Sequence, residues 1–148
     1  MSKSSTSART RARELMVQAL YQKQIAGHTT AELVAQFRED PSYQRVDQAF
    51  FDELFPAISN SQAALESRID DLIDRPLEQL DPVELSILLI GVHELEQRID
   101  IPYKVVINEG VNLARRFGAA DGHKYINACL DLAARSLRAV EVQAATGG

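Results

Sequence analysis

The sequence predicts an all-α fold, a compact bundle of about seven helices joined by short connections. Apolar residues recur at helical spacing along most of the 148 residues, and residues typical of helix starts and ends separate the apolar stretches. The alternating pattern of a half-buried strand does not occur, and neither does a glycine hairpin turn flanked by strand-like residues. Helices packed on helices are therefore the expected architecture.

The first predicted helix covers residues 10–26, which contain no glycine and no proline. Its apolar stripe consists of Ala12, Leu15, Met16, Ala19 and Leu20. Gly27 ends this helix, and Thr29 or Thr30 caps the next one, which contains the stretch AELVAQF. The preceding residues 1–8 are predicted as a basic flexible arm.

Prolines mark the boundaries in the middle of the chain. Pro41 interrupts the second helical pattern, and residues 46–74 are predicted as two helices with a break between Pro56 and Asn60. The connector DRPLEQLD follows, with room for a single helical turn.

The stretch Asp81-Pro82-Val83-Glu84 predicts a well-defined helix start. Asp81 is suited to cap the helix, Pro82 stands at the first helical position, and Glu84 can close a capping box. The residues that follow are apolar on most sides, so this helix is predicted to be central in the fold.

Two more helices are predicted in the last third of the chain. Pro102 opens one of them and Gly118 ends it, and Asp121 caps the last long helix. Residues 141–148 are predicted as a flexible tail. The folded domain is therefore predicted to span residues 9–140.

The composition argues against several classes of function. No apolar run approaches the roughly 20 residues that cross a bilayer, and no signal peptide pattern opens the chain. The single cysteine, Cys129, cannot form an internal disulfide, which favours a cytoplasmic location. The three histidines, His28, His93 and His123, are scattered, so no metal site is expected. Phosphate-binding glycine loops and hydrolase motifs are absent, so neither a cofactor nor an enzymatic activity is expected.

Charge is distributed unevenly along this acidic chain. The net charge is −5, but residues 1–27 carry +4, residues 28–100 carry −11 and residues 101–148 carry +2. Such a separation suits a protein with one anionic partner and a second partner of different charge.

The first helix carries residue types typical of single-stranded RNA recognition. On a helical wheel, Arg9 and Arg13 border the apolar stripe, whereas Arg11, Gln18 and Tyr21 lie on or beside the opposite face. Guanidinium groups bind phosphates, amides read base edges, and an aromatic ring stacks on a base. The same residues are equally compatible with a solvated helix whose tyrosine packs under a neighbouring element.

Four stretches resemble the NusB family of bacterial transcription antitermination factors: RARELMVQALYQ, PVELSILLIGVHEL, IPYKVVINEGVNLARRFG and DGHKYINACLD. They stand in the order and spacing of that family. The resemblance implies an all-α fold of two packed helical subdomains. It also implies an RNA-binding factor that pairs with the ribosomal protein NusE, binds the boxA element of ribosomal RNA transcripts and joins the antitermination complex of RNA polymerase.

The resemblance further implies two groups of functional residues. The implied RNA-binding residues are Arg9, Arg11, Arg13, Gln18, Tyr21, Lys124 and Tyr125. The implied partner-binding residues are Glu84 and Asp121. Structural alternatives stay open, since Glu84 and Asp121 can serve as helix caps alone and Tyr125 can point into the core. Lys104 and Asn108 are weaker candidates for RNA contact.

Two other functions stay open at the level of the sequence. A purely protein-binding helical adaptor would use the arginines against an acidic partner. NusB-like domains also precede the catalytic domains of ribosomal RNA methyltransferases, and this chain could be a stand-alone relative of such a domain. That alternative is the weaker one, because no cofactor loop follows up to Gly148.

Overall fold

The computed structural model describes residues 2–147, with side chains from residue 6 onward. These residues form eight α-helices and two short 3-10 turns, without a strand, so the all-α prediction is confirmed. The helices are α1 (Ser2–Ala26), α2 (Thr30–Arg38), α3 (Gln48–Asn60), α4 (Gln62–Asp70), α5 (Pro82–Gln97), α6 (Tyr103–Phe117), α7 (Gly122–Leu137) and α8 (Ala139–Thr146). The 3-10 turns are Pro41–Arg45 and Leu77–Gln79. The chain divides into two compact units, one ending at Gln62 and the other beginning at Ala63.

Several helix ends lie at the residues that the sequence marked. Gly27 ends α1 in the left-handed region, with a φ of +74°. Thr29 caps α2 in a reciprocal capping box with Glu32. At the start of α5, the Asp81 carboxylate accepts the N–H of Val83 at 2.7 Å. These caps explain why the predicted starts of α2 and α5 were close to the observed ones.

Other boundaries differ from the prediction. α1 begins at Ser2, within the residues 1–8 predicted as a flexible arm, because no glycine or proline there breaks the helix. Pro56 lies inside α3, and the break before α4 falls at Ser61. The buried face of α3 outweighs the one backbone hydrogen bond that a proline cannot donate. Helix α8 covers most of the predicted tail at residues 141–148.

The core of the first unit includes fully buried side chains from α1, α2 and α3. They are Leu15, Met16, Leu20, Leu33, Phe51, Leu54, Phe55 and Ile58. The Phe51 ring stacks on Phe55, with the ring centroids 5.5 Å apart, and meets the edge of Tyr43 at 5.9 Å. Each large apolar side chain contributes about 1.5–3 kcal/mol on burial, so this cluster fixes the rotation of α1 about its axis.

Helix α5 is the centre of the second unit, as predicted. Its residues from Leu85 to Leu95 are all buried, and both α6 and α7 pack against it. Leu130 of α7 packs into the space left by two glycines, since an added Cβ at Gly91 or Gly110 would come within 2.6 or 2.5 Å of the Leu130 side chain. The absence of side chains at these two positions permits the close approach of the three helices.

Arg138, between α7 and α8, joins the carbonyl ends of α5 to the last helix. Its Nε donates to the carbonyl of Leu95 at 2.7 Å, and Nη2 donates to those of Arg98 and Ile101 at 2.9 and 3.0 Å. The side chain is only 4% exposed. One guanidinium therefore donates to several carbonyls at the end of α5 and in the segment that follows it.

Glu141 completes this arrangement and orders α8. Its Oε1 accepts from Nη1 of Arg138 at 2.6 Å, and its Oε2 accepts the N–H of Tyr103 at 2.9 Å. The Tyr103 N–H and then Arg138 hold the pKa of the Glu141 carboxyl below its ordinary value of 4.5. A lowered pKa means that this contribution to stability is complete above that value and is lost as the pH falls through the folded pKa.

Substitution of Arg138 tests this arrangement. Arg138→Ala removes the guanidinium donor from the buried carbonyls of Leu95 and Ile101 and from one oxygen of Glu141, so we expect the free energy of unfolding to fall by about 3–5 kcal/mol. Arg135→Ala is the matched control, because Arg135 is 67% exposed and forms a surface ion pair with Asp131 on the same helix. That control should cost less than about 1 kcal/mol in urea denaturation. Equal losses for the two variants would contradict the assignment.

Candidate nucleic-acid interface

Burial of the apolar stripe determines which residues of α1 face solvent. The stripe of Ala12, Leu15, Met16, Ala19 and Leu20 is at most 1% exposed. On the other side lie the exposed residues Ser7, Arg11, Gln18, Tyr21 and Ile25, which we call the exposed strip of α1. Their spacing of four, seven, three and four residues places them in one row about 27 Å long.

Tyr21 and Ile25 are the two large apolar members of the exposed strip. Tyr21 is 40% exposed and Ile25 is 61% exposed. Tyr21 therefore does not pack under a neighbouring element, which was the alternative that the sequence left open. An exposed aromatic ring beside Arg11 and Gln18 offers stacking, charge and amide hydrogen bonding along one helix.

Reciprocal hydrogen bonds between two amide side chains connect α1 to α2. The Gln22 Nε2 donates to Gln36 Oε1 at 2.7 Å, and the Gln36 Nε2 donates to Gln22 Oε1 at 2.9 Å. The His28 ring also lies within hydrogen-bond distance of the Gln22 amide. Gln22 is thus held by α2, whereas Gln18 lies on the exposed strip.

The three arginines of α1, which the sequence analysis treated as one group, differ in their exposure to solvent. Arg11 is exposed, as expected. Arg13 is only 3% exposed, with its guanidinium 4.9 Å from the centre of the Phe50 ring. Arg13 borders the apolar stripe, as predicted, but an aromatic ring from the start of α3 covers that side of the helix. We assign Arg13 to the packing of α1 against α3.

Arg9 has an intermediate position. Its guanidinium also lies 4.9 Å from the centre of the Phe50 ring, and its Nε is 3.5 Å from the Asp47 carboxylate. Its side chain is still 36% exposed. The Asp47 N–H donates to the carbonyl of Ala8 at 2.9 Å, which fixes α1 to the start of α3 at the same place. Arg9 thus stabilises this junction while keeping part of its charge near solvent.

In the second unit, Asp121 and Lys124 are exposed at the start of α7. Asp121 stands at the N-cap position of α7, but its side chain makes no capping hydrogen bond. Its carboxylate lies 3.7 Å from the Lys124 ammonium, and the two side chains are 83% and 75% exposed. The alternative of Asp121 as a side-chain cap is therefore wrong, and both charges are accessible to a ligand.

Tyr125 is held in place from two sides. The Arg75 guanidinium lies 4.3 Å from the centre of its ring. The hydroxyl oxygen is buried and lies beside the Cys129 thiol. Burial first, and then the neighbouring Cys129 thiol, raise the pKa of Tyr125 to about 12. The hydroxyl therefore points inward. The alternative that Tyr125 points into the core, which the sequence left open, thus holds for the hydroxyl end of the side chain.

Glu84 lies close to the same end of α7. It is half-buried, and its Oε2 lies 3.5 Å from the position that a Cβ on Gly122 would take. At the start of α5, the Val83 N–H donates to the Asp81 side chain, which caps the helix. Glu84 does not complete a reciprocal capping box there of the kind that Glu32 forms at α2. Glu84 thus brings an acidic group to the first residue of α7.

Other candidates give no second site among the described residues. Lys104 and Asn108 are exposed on α6.

No group of three or more histidine, cysteine or acidic side chains between residues 6 and 147 is arranged to hold a metal ion. No helix in the described part of the chain has the length and apolar character needed to cross a membrane. Burial raises the pKa of the Cys129 thiol, in keeping with a packing role.

Sequence reasoning missed two residues that shape these surfaces. Phe50 covers Arg13, but it stands 37 residues away, so only the fold brings them together. Arg75 lies in the connector between α4 and the second 3-10 turn. A charged residue in such a segment has no sequence pattern from which its contact with Tyr125 could be predicted.

Comparison with known proteins identifies relatives along almost the whole chain. The profile of the NusB family matches residues 10–135. The chain is 44% identical over 144 residues to the transcription antitermination protein NusB of Pseudomonas syringae pv. tomato. The aligned region covers 97% of this chain and 87% of that protein. It is 48% identical over 141 residues to NusB of Pseudomonas entomophila, and the aligned region covers 95% of this chain and 85% of that protein.

A solved structure shares the fold. NusB from T. maritima superposes with a TM-score of 0.76 over 86% of this chain and 90% of that one. The sequence identity in this comparison is 23%, so the likeness concerns the arrangement of helices.

Thermal unfolding distinguishes the two arginines of α1. Arg13→Ala removes a desolvated guanidinium from Phe50, and we expect a loss of about 2 kcal/mol or more in the free energy of unfolding. Arg11→Ala removes an exposed charge two residues earlier and should change stability by less than about 0.5 kcal/mol. Circular dichroism melting of both variants measures the difference. A stable Arg13→Ala protein would show that the contact with Phe50 is dispensable.

Proposed function

We propose that this chain, which belongs to the NusB family, is a non-catalytic transcription antitermination factor that binds single-stranded RNA through α1. The observation that carries the RNA-binding proposal is the exposed strip, in which Arg11, Gln18 and Tyr21 face solvent on one side of a helix whose other side is buried. In this proposal the RNA is a boxA-type element of ribosomal RNA transcripts.

Each residue of the strip supplies a different interaction with a single strand. Arg11 neutralises a phosphate, and Arg9 adds a partial contact at its exposed edge. The Gln18 amide donates to and accepts from a base edge. Tyr21 stacks on a base, an interaction worth about 1–3 kcal/mol. Arg13 contributes through the packing of α1 and makes no direct contact.

The start of α7 supplies a second RNA contact in the other unit. Lys124 is 75% exposed, and Tyr125 lies one residue further along the helix. With Arg9 and Arg11, Lys124 brings the number of neutralised phosphates to about three, which corresponds to a slope near −2 when log affinity is plotted against log salt.

We further propose that Glu84 and Asp121 contact the ribosomal protein NusE. Both are carboxylates, and residues 28–100, which include Glu84, carry a net charge of −11. An acidic surface of this kind favours a basic partner and speeds its association. NusE and RNA would then each bind through a modest surface, and holding both on one adaptor raises their effective concentration within the transcription complex of RNA polymerase.

Substitutions in the exposed strip test RNA binding directly. Tyr21→Ala should weaken binding to a fluorescein-labelled single-stranded boxA-type RNA by about 1–3 kcal/mol through lost stacking. Arg11→Ala should reduce the magnitude of the salt slope by about 0.7. Arg45→Ala is the control, because it removes one exposed charge from a 3-10 turn of the same unit. Fluorescence anisotropy at four salt concentrations measures these quantities.

Two outcomes would count against RNA binding by α1. One is a salt slope near zero for the unsubstituted chain. The other is an equal effect of Arg11→Ala and Arg45→Ala. Absence of RNA binding with and without NusE would favour the protein-binding adaptor, in which Tyr21 and Ile25 contact a protein.

Glu84→Gln and Asp121→Asn test the partner surface. Each should weaken binding of purified NusE in isothermal titration calorimetry by about tenfold, or about 1.4 kcal/mol, through loss of a charge. Both should leave anisotropy with RNA alone within twofold. Asp131→Asn is the control, since it removes one carboxylate charge from the same helix, likewise paired with a basic side chain, at a residue not assigned to NusE. Unchanged NusE affinity in both variants would refute this surface.

A further inference from the structure

Arg75 covers one face of a residue that the proposed function assigns to RNA. Its guanidinium carbon lies 4.3 Å from the centre of the Tyr125 ring, the separation of a cation stacked on an aromatic face. Arg75 belongs to the connector between α4 and the second 3-10 turn, whereas Tyr125 is in the first turn of α7. The contact therefore joins an irregular segment to the start of a helix.

Tyr125 itself offers little to a ligand. Its hydroxyl is buried beside the Cys129 thiol. One face of its ring is covered by Arg75. On that face, a ligand would meet the guanidinium plane of Arg75, and the Tyr125 ring supports this plane from below.

The Arg75 guanidinium is accessible and anchored at one edge. Its side chain is 42% exposed, and its Nε lies 3.0 Å from Asp74 Oδ1. Arginine has four further N–H donors on its two terminal nitrogens, in a plane that can stack on a base and bind phosphate oxygens. An anchored edge and a supporting ring reduce the entropy that this side chain loses on binding.

We infer that Arg75 is an RNA-contacting residue of the second unit and that Tyr125 is a positioning residue that holds its guanidinium. This inference rests on the proposed function and names a residue that neither the sequence pattern nor the family resemblance assigned. The expected ligand is a single-stranded RNA, bound through one phosphate and one base stacked on the guanidinium plane.

Anisotropy of the full-length chain with a labelled single-stranded boxA-type RNA tests the inference. Arg75→Ala should weaken binding at least fivefold and reduce the magnitude of the salt slope by about 0.7. Arg75→Lys keeps the charge without the plane, so it should retain the slope and lose part of the affinity. Tyr125→Phe should bind within twofold of the unsubstituted chain, because the hydroxyl is buried, whereas Tyr125→Leu should approach the Arg75→Ala value.

Arg135→Ala is the matched control, since it removes an exposed arginine of the same unit far along α7. Equal effects of Arg75→Ala and Arg135→Ala on affinity and slope would overturn the inference while the proposed function stands. Loss of RNA binding in Tyr125→Phe would overturn the role of the ring as a support. An unsubstituted chain that does not bind this RNA either with or without NusE would overturn both the inference and the proposed function.

Discussion

The burial of one face of α1 is the constraint on which the candidate interface depends. Ala12, Met16 and Ala19 lie against the core of the first unit without measurable exposure. A rotation of the helix by even one residue, about 100°, would expose this stripe and bury the charged side. The apolar stripe thus determines that Arg11, Gln18 and Tyr21 face solvent, and the residue types on that side determine what the face can bind.

Arginines in this protein serve different purposes, and their surroundings decide which. Arg11 is exposed, Arg13 is buried over Phe50, and Arg138 is buried among carbonyls of α5. A buried guanidinium is stable only when its donors are satisfied or an aromatic face compensates its charge. The positive charge of residues 1–27 is therefore larger in the sequence than on the surface, since one of its arginines is internal.

The fold could be predicted from the sequence to the extent that its signals are local. Gly27, Thr29 and Asp81 act within a few residues of their own positions, so the helix ends near them were predictable. The helical tail at α8 was not, because it depends on Glu141 contacting Arg138 and the backbone of Tyr103, 38 residues away. For the same reason a helical wheel could place Tyr21 opposite the apolar stripe but left its exposure open. The burial of Arg13 and the cover of Arg75 over Tyr125 likewise required the tertiary structure.

Binding of RNA to the exposed strip of α1 can be observed residue by residue when the ¹⁵N-labelled chain is titrated with a single-stranded boxA-type RNA and followed by heteronuclear NMR. We expect chemical-shift changes that concentrate on the exposed strip of α1, at Arg11, Gln18 and Tyr21, together with a group at Arg75 and the start of α7. Saturable binding that leaves the resonances of α1 unchanged would contradict this expectation.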